Sequence, residues 1–182
     1  MRVLVTGAGG QLGREVVRVF EGGGRVVGLA RAALNVADRE SVHKAVVAFR
    51  PELVVNCAAW TDVDACELDP ERAHRINAVA VGYLREAVEV IDAHLMHVST
   101  DFVFDGEAIT PYREDDPTAP LNAYGASKLA GEELAGPDAT VVRTTWLQPA
   151  DGPGMVERLL VALAASGPVT MSDERLACPT FI

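Results

Sequence analysis

Apolar residues fall along the chain in two alternating kinds of run. Residues 2–6, 25–30, 52–56, 94–99 and 140–143 are short blocks rich in valine and leucine. Between them apolar positions recur every three or four residues, as with Leu12, Val16, Val19 and Phe20. Short, nearly continuous apolar runs suit strands covered on both faces, and the three-to-four spacing suits helices. The pattern predicts strands at those five blocks and at 169–171. It predicts helices over 11–21, 39–49, 70–91, from 122 onward, and over 155–165. The punctuation agrees: Gly22-Gly-Gly24 stops the first helix, Pro51 follows the second, and Pro70 suits a first helical turn. Residues 101–120 hold three prolines and many acids and read as a loop over the strand ends. Strand–helix alternation of this kind implies an α/β fold, a Rossmann-type doubly wound parallel sheet with helices on both faces. Ligands in such sheets bind beyond the carboxyl ends of the strands, where the motifs below all fall.

The first motif, Thr6-Gly-Ala-Gly-Gly-Gln-Leu-Gly13, follows a strand and opens a helix. Gly7, Gly10 and Gly13 permit a tight turn and let backbone N–H groups approach a pyrophosphate at the positive helix end. A glycine-rich turn without a ligand is the plain alternative, and the strand–loop–helix context argues against it. At the end of the second strand an acid would bind a ribose 2′-hydroxyl and favour NAD. Here Ala30 is followed by Arg31, which can meet the 2′-phosphate of NADP, so NADPH is expected, with NADH as the alternative. After the third strand, small residues at 57–59, including Ala58 and Ala59, would let a ribose lie against the backbone, while Cys57 reads as core packing.

Tyr124 and Lys128 stand four residues apart in a chain with three tyrosines and two lysines, so on a helix they share a face. A surface lysine on an amphipathic helix is the bland reading. Thr100, at the end of the fourth strand, can bring a hydroxyl to the same cleft. Phenol, ammonium and hydroxyl together form a known type of carbonyl-reducing site. A phenol with a reference pKa near 10 is a poor acid–base at neutral pH, and an adjacent ammonium is expected to lower it by about 1–3 units.

Composition narrows the partners. The net charge of −10 weighs against nucleic acid and anionic membranes. No apolar run reaches membrane-spanning length, and the N-terminus lacks a signal-peptide pattern. Cys57, Cys66 and Cys178, odd in number and without metal spacing, fit a reducing cytoplasm. The four histidines read as structural or exposed, and no metal site is expected.

The quoted segments, together with Asn56-Cys-Ala-Ala-Trp-Thr-Asp-Val-Asp64, Ile76-Asn-Ala78, Ser99-Thr-Asp-Phe-Val-Phe-Asp-Gly106, Tyr124-Gly-Ala-Ser-Lys-Leu-Ala-Gly-Glu132 and Arg143-Thr-Thr-Trp146, resemble the dTDP-4-dehydrorhamnose reductases. These are extended short-chain dehydrogenase/reductases. Related dehydratases carry Asp-Glu after the threonine, whereas Asp101 here precedes Phe102, as in a reductase. The resemblance implies NADPH-dependent reduction of the C4 keto group of a dTDP-4-keto-6-deoxysugar, and it leaves a homodimer open. Tyr124 would protonate the carbonyl oxygen, Lys128 would bind nicotinamide ribose and tune Tyr124, and Thr100 would hydrogen-bond the carbonyl. Gly10, Gln11 and Leu12 match the pyrophosphate loop. Asn35, Val36, Ala59, Trp60 and Thr61 match adenosine and ribose contacts, while Asp101 and Trp146 match sugar-nucleotide contacts. Asn35 stands where the family usually has Asp, and Leu147-Gln-Pro149 replaces Val-Tyr-Gly. Most of the family's smaller lobe would lie beyond residue 182. Residues 1–148 are therefore expected to form the NAD(P)-binding domain and 149–182 the beginning of the substrate region, in either a fragment or a naturally short relative. The alternative function is a non-catalytic dinucleotide-binding or regulatory protein, since the regulatory subunit of methionine adenosyltransferase is similar to this family.

Overall fold

The computed structural model describes residues 1–149, 154–165 and 179–182. It divides into two compact units, Met1–Arg143 and Thr144–Ile182. In the first unit β1 (Arg2–Thr6), β2 (Arg25–Leu29), β3 (Leu53–Asn56), β4 (His94–Thr100) and β5 (Thr140–Thr144) form one sheet in the order β2-β1-β3-β4-β5. The pairings β1–β2, β1–β3 and β3–β4 are parallel, with Thr6 opposite both Leu29 and Asn56. Strand order reverses at β1, so the switch point opens between the carboxyl ends of β1 and β3.

The pleat sends alternate side chains of β1 to opposite faces. Leu4, with Val54 and Leu95, packs under α2 (Arg39–Phe49), α5 (Ala80–Ile91) and α6 (Ala123–Ala135) through Val42, Val46, Leu84, Val88 and Ala135. Val3, Val5 and Val55 face the other way, against Val16, Val17 and Phe20 of α1 (Gln11–Glu21). Helices therefore cover both faces, the Rossmann-type arrangement. Burying each such valine or leucine stabilises by about 1.5–3 kcal/mol.

In the first unit two helical regions differ from the sequence pattern, and in the second β6 (Leu147–Gln148) and β7 (Thr180–Phe181) were not foreseen. The helix expected over 70–91 is α4 (Pro70–His74), a π-helical turn (Arg75–Val79) and then α5. The wide turn lies where α6 packs closely: a Cβ on Gly131 would strike the Asn77 carbonyl. In a segment to which the pattern assigned no element, α3 (Val63–Leu68) forms, with the Asp62 side chain accepting from the Ala65 N–H. Six residues are too few for an apolar period to register.

In the second unit β6 (Leu147–Gln148) pairs in parallel with β7 (Thr180–Phe181), and α7 (Met155–Ala164) lies between them in the chain. Trp146 stands just before β6 with φ of 41° and is exposed. The expected strand at 169–171 and the stretch 172–178 lie outside the described residues. Among the described residues no helix is long and apolar enough to cross a membrane, and no group of His, Cys, Asp and Glu is arranged to hold a metal.

Candidate active site

Past β1 the chain turns into α1 through Gly7, whose φ is +67°. A Cβ there would sit 2.6 Å from the Ala58 nitrogen, so the first loop lies directly against the backbone that leaves β3. Gly13 performs the same service one turn into α1, where a Cβ would strike the Gly7 carbonyl. Helices α2, α3, α4 and α6 are capped by side chains of Asp38, Asp62, Asp69 and Asn122. In contrast, α1 begins at Gly10 with no side-chain cap and no acid in its first turn. Its N-terminal end thus presents backbone N–H groups and the positive end of the helix dipole, which suit an anion.

Across the same end of the sheet, α6 carries Tyr124 and Lys128 on one buried face, with exposures of 9% and 2%. Asn122 starts the helix by accepting from the Gly125 N–H at 2.7 Å. Gly125 brings it against the Phe102 carbonyl, and Gly131 against Asn77. The Tyr124 phenol hydrogen-bonds Thr100, and its ring meets Phe102 edge-on, 5.6 Å between centroids. Burial raises the phenol's pKa above its ordinary value; the Thr100 hydrogen bond opposes this, and Asp101 adds to it. The direction is opposite to the lowering expected from Lys128. The physical reason is that burial acts on both groups: it disfavours phenolate and ammonium alike. It pushes Lys128 down from 10.5 to about 8, against the pull of Glu132 and Cys57. A phenol held in its protonated form is a proton donor.

Lys128 Nζ donates to the Val98 carbonyl at 2.7 Å and lies 3.3 Å from His97 Nε2. His97 Nδ1 is 3.0 Å from the Asn56 amide nitrogen, and the Asn56 oxygen accepts from Thr6 Oγ1 at 2.6 Å and the Ala58 N–H at 3.2 Å. A buried polar chain therefore runs from β1 through β3 and β4 to α6. One turn beyond Lys128, Glu132 accepts from Ser99 and pairs with Arg143 of β5 at 2.7 Å. The Arg143 guanidinium lies over Phe104, which stacks on Tyr112 at 4.2 Å, and it donates to the Glu114 carbonyl. This ties the loop after β4 to α6.

The other sequence-selected residues occupy several settings. Arg31 and Thr61 are exposed beyond β2 and β3, as is Ala59. Asn35 uses its side-chain oxygen to accept from the Ala37 N–H, shaping the turn into α2, and Val36 packs on the core. Trp60 is held by Asn77, which accepts from its N–H and donates to its carbonyl, while Arg72 covers the indole at 4.2 Å. Asp101 accepts from the Thr100 hydroxyl at 3.1 Å and begins a short 3₁₀ turn. Gln11 and Leu12 stand half-buried at the start of α1. Asn56, Asn77 and Ser127, to which the sequence assigned no role of their own, and His97, read there as structural or exposed, are all buried. The only signal for them was a polar residue inside an otherwise apolar strand or helix face.

The family described as the RmlD substrate binding domain matches residues 1–182. The spore coat polysaccharide biosynthesis protein SpsK of Bacillus subtilis is 39% identical over 99% of this chain and 65% of its own. A dTDP-4-dehydrorhamnose reductase of Streptomyces griseus is 40% identical over 99% of this chain and 61% of its own. The crystal structure of a dTDP-4-dehydrorhamnose reductase from Bacillus anthracis, in complex with NADP, superposes with a TM-score of 0.85 at 32% identity, covering 92% of this chain and 61% of that one. The chain thus spans less than two thirds of these relatives' length.

Proposed function

The chain belongs to the dTDP-4-dehydrorhamnose reductase family, and from that membership we propose that it serves the NADPH-dependent reduction of the C4 keto group of a dTDP-4-keto-6-deoxysugar. One observation carries the reading: a protonated phenol is buried beside the Thr100 hydroxyl, on the helix face that also holds Lys128. A carbonyl oxygen must gain a proton as its carbon gains a hydride. Tyr124 donates that proton, and Thr100 hydrogen-bonds the same oxygen. Positioned proton transfer of this kind contributes typically about 10²–10⁴-fold. The reduced nicotinamide, when bound, supplies the hydride. The phenolate left on Tyr124 is reprotonated from solvent, which balances the step.

The residues around the glycine loop fit a dinucleotide, since uncapped N–H groups and a side-chain-free approach are what a pyrophosphate needs. Gly7, Gly10, Gln11, Leu12 and Gly13 are assigned to it. Arg31 is assigned to a 2′-phosphate, Lys128 to the nicotinamide ribose, Asp101 and Trp146 to the sugar nucleotide, and 149–182 to the start of the substrate region. The B. anthracis reductase, bound to NADP, supports this choice of cofactor.

The test is a nicotinamide-fluorescence titration with NADPH and NADH, followed by cofactor oxidation with a dTDP-4-keto-6-deoxysugar. Tighter NADPH binding and keto-sugar-dependent oxidation are expected. Binding without oxidation would move the assignment to a regulatory relative, and no binding of either dinucleotide would remove it.

A further inference from the structure

The hydrogen-bond chain from Thr6 to Lys128 has a direction that can be read from its fixed end. A backbone N–H can only donate, so the Asn56 atom facing the Ala58 nitrogen must be its oxygen. The Asn56 amide nitrogen then faces His97 Nδ1 and donates to it. With Nδ1 accepting, a neutral imidazole carries its hydrogen on Nε2, pointed at Lys128 Nζ 3.3 Å away. His97 is neutral, because burial pushes its pKa down to about 2 and the lysine charge adds to that. An ammonium at Nζ would therefore meet another donor, whereas an amine meets that N–H with its lone pair while still donating to the Val98 carbonyl. Only the amine satisfies all these contacts. Turning the Asn56 amide over does not relieve the conflict. It moves the conflict to Ala58, where nothing can titrate.

We propose that His97 is a positioning residue: locked by Asn56 as the Nε2–H tautomer, it donates to Lys128 and sets that lysine's charge state. The groups facing Lys128 divide clearly. Tyr124 and Glu132 lie one turn either side on α6, Cys57 follows β3, and His97 lies on β4, with Thr100 and Asp101 near the phenol. Glu132 favours the ammonium, but its carboxylate already serves Arg143 and Ser99. Cys57, held protonated by burial at about 11, brings no charge near neutrality. Burial is the first cause that favours the amine, and the His97 N–H adds a contact that only the amine can accept. The consequence for turnover rests on the reductase reading, in which the ammonium form works and is lost as pH rises through the lysine's titration. The protonation pattern does not rest on it.

The chain's two lysines make the test direct, because Lys44 is exposed and serves as the reference signal. In protein labelled with ¹³Cε-lysine, without dinucleotide or sugar, Lys128 should titrate near pH 8. The ¹⁵N-histidine spectrum should show His97 with Nδ1 unprotonated and Nε2 protonated. Asn56→Asp places a carboxylate oxygen at Nδ1, so it should switch the tautomer and raise the Lys128 midpoint by at least about one pH unit, tenfold in proton affinity. His97→Gln, which can accept from Asn56 and donate to Lys128, should keep the midpoint low. An Nδ1–H tautomer in the wild type, or a Lys128 midpoint at the ordinary lysine value of about 10.4, overturns the proposal. Both wild-type spectra decide the matter if Asn56→Asp does not fold. If the wild type lacks reductase activity while the spectra agree, the functional reading fails and the lysine assignment stands. If activity is present, the alkaline limit of kcat/KM should move upward in Asn56→Asp with the lysine midpoint.

Discussion

The glycine loop and the α6–β4 cluster lie at the same end of one sheet and solve different problems with different materials. Around Gly7 the chain uses backbone: a left-handed turn, close approach to residues 57 and 58, and uncapped N–H groups at α1. Around Tyr124 it uses buried side chains, with Thr100, Lys128 and His97 all 5% exposed or less. Backbone donors and a helix dipole recognise an anion without burying any charge. Gathering a phenol and an amine on one closed face takes burial, which moves both off their ordinary pKa values, and burial of an amine destabilises the fold. The anion side should therefore be sensitive to added volume. The proton side should gain stability when its polar groups are removed.

The largest effect should come from the proton side. Tyr124→Phe keeps the ring against Phe102 but removes the donor, so turnover should fall by about 10²–10⁴-fold while NADPH affinity stays within about threefold. Steady-state kinetics and fluorescence titration separate the two, and retained turnover would put the acid elsewhere. Next is the anion side. Gly7→Ala forces a left-handed alanine, at about 1–2 kcal/mol, and drives its Cβ against the Ala58 nitrogen. A loss of about 3 kcal/mol in denaturant unfolding, with dinucleotide binding lost as well, is expected. A variant as stable as the wild type would mean the loop has room to spare.

Lys128→Met sharpens the contrast, because it should stabilise the fold while removing function. The folded amine has a lower pKa than the unfolded one, so between about pH 8 and 10.5 the unfolded chain holds the extra proton. Stability from this group therefore rises with pH across that window and is lowest below it. At pH 7 the penalty is about 3 kcal/mol, and about 1 kcal/mol of hydrogen bonding to Val98 offsets part of the gain. The methionine variant should be about 1–3 kcal/mol more stable at pH 7 and show no such rise above pH 8. Equal stability at both pH values would indicate that the amine is hydrated. The smallest effect belongs to the exposed cation. Arg31→Ala should weaken NADPH by roughly tenfold, about 1.4 kcal/mol, and leave NADH unchanged. Equal losses for both dinucleotides would remove the 2′-phosphate contact.

How much of this was legible differs by element. The helix at 11–21 carries both its apolar period and its stop signal in its own residues, and it spans Gln11–Glu21 in the structure. The helix expected over 70–91 reads as continuous because its apolar stripe is nearly unbroken, yet five residues widen into a π turn. That turn accommodates Gly131, more than fifty residues later, which no local pattern reports. Asn35, expected among the adenosine and ribose contacts from the resemblance, also uses its oxygen to close a local turn, a role set by backbone geometry that the residue type alone does not report.

By themselves the residues determined the order of the five sheet strands and of the longer helices around them, the glycine turn after β1, and the one-face placement of Tyr124 and Lys128, since spacing and turn chemistry are local properties of a chain. Tertiary structure alone decided the charge states. Residues 6, 56, 97 and 128 come from three strands and a helix, and each hydrogen atom between them is assigned by the next contact in the row. The lowering expected for Tyr124 from its spacing to Lys128 was reversed by burial, which no local pattern reports. A neighbouring charge pulls a pKa one way and desolvation the other, and only the packed core says which is larger.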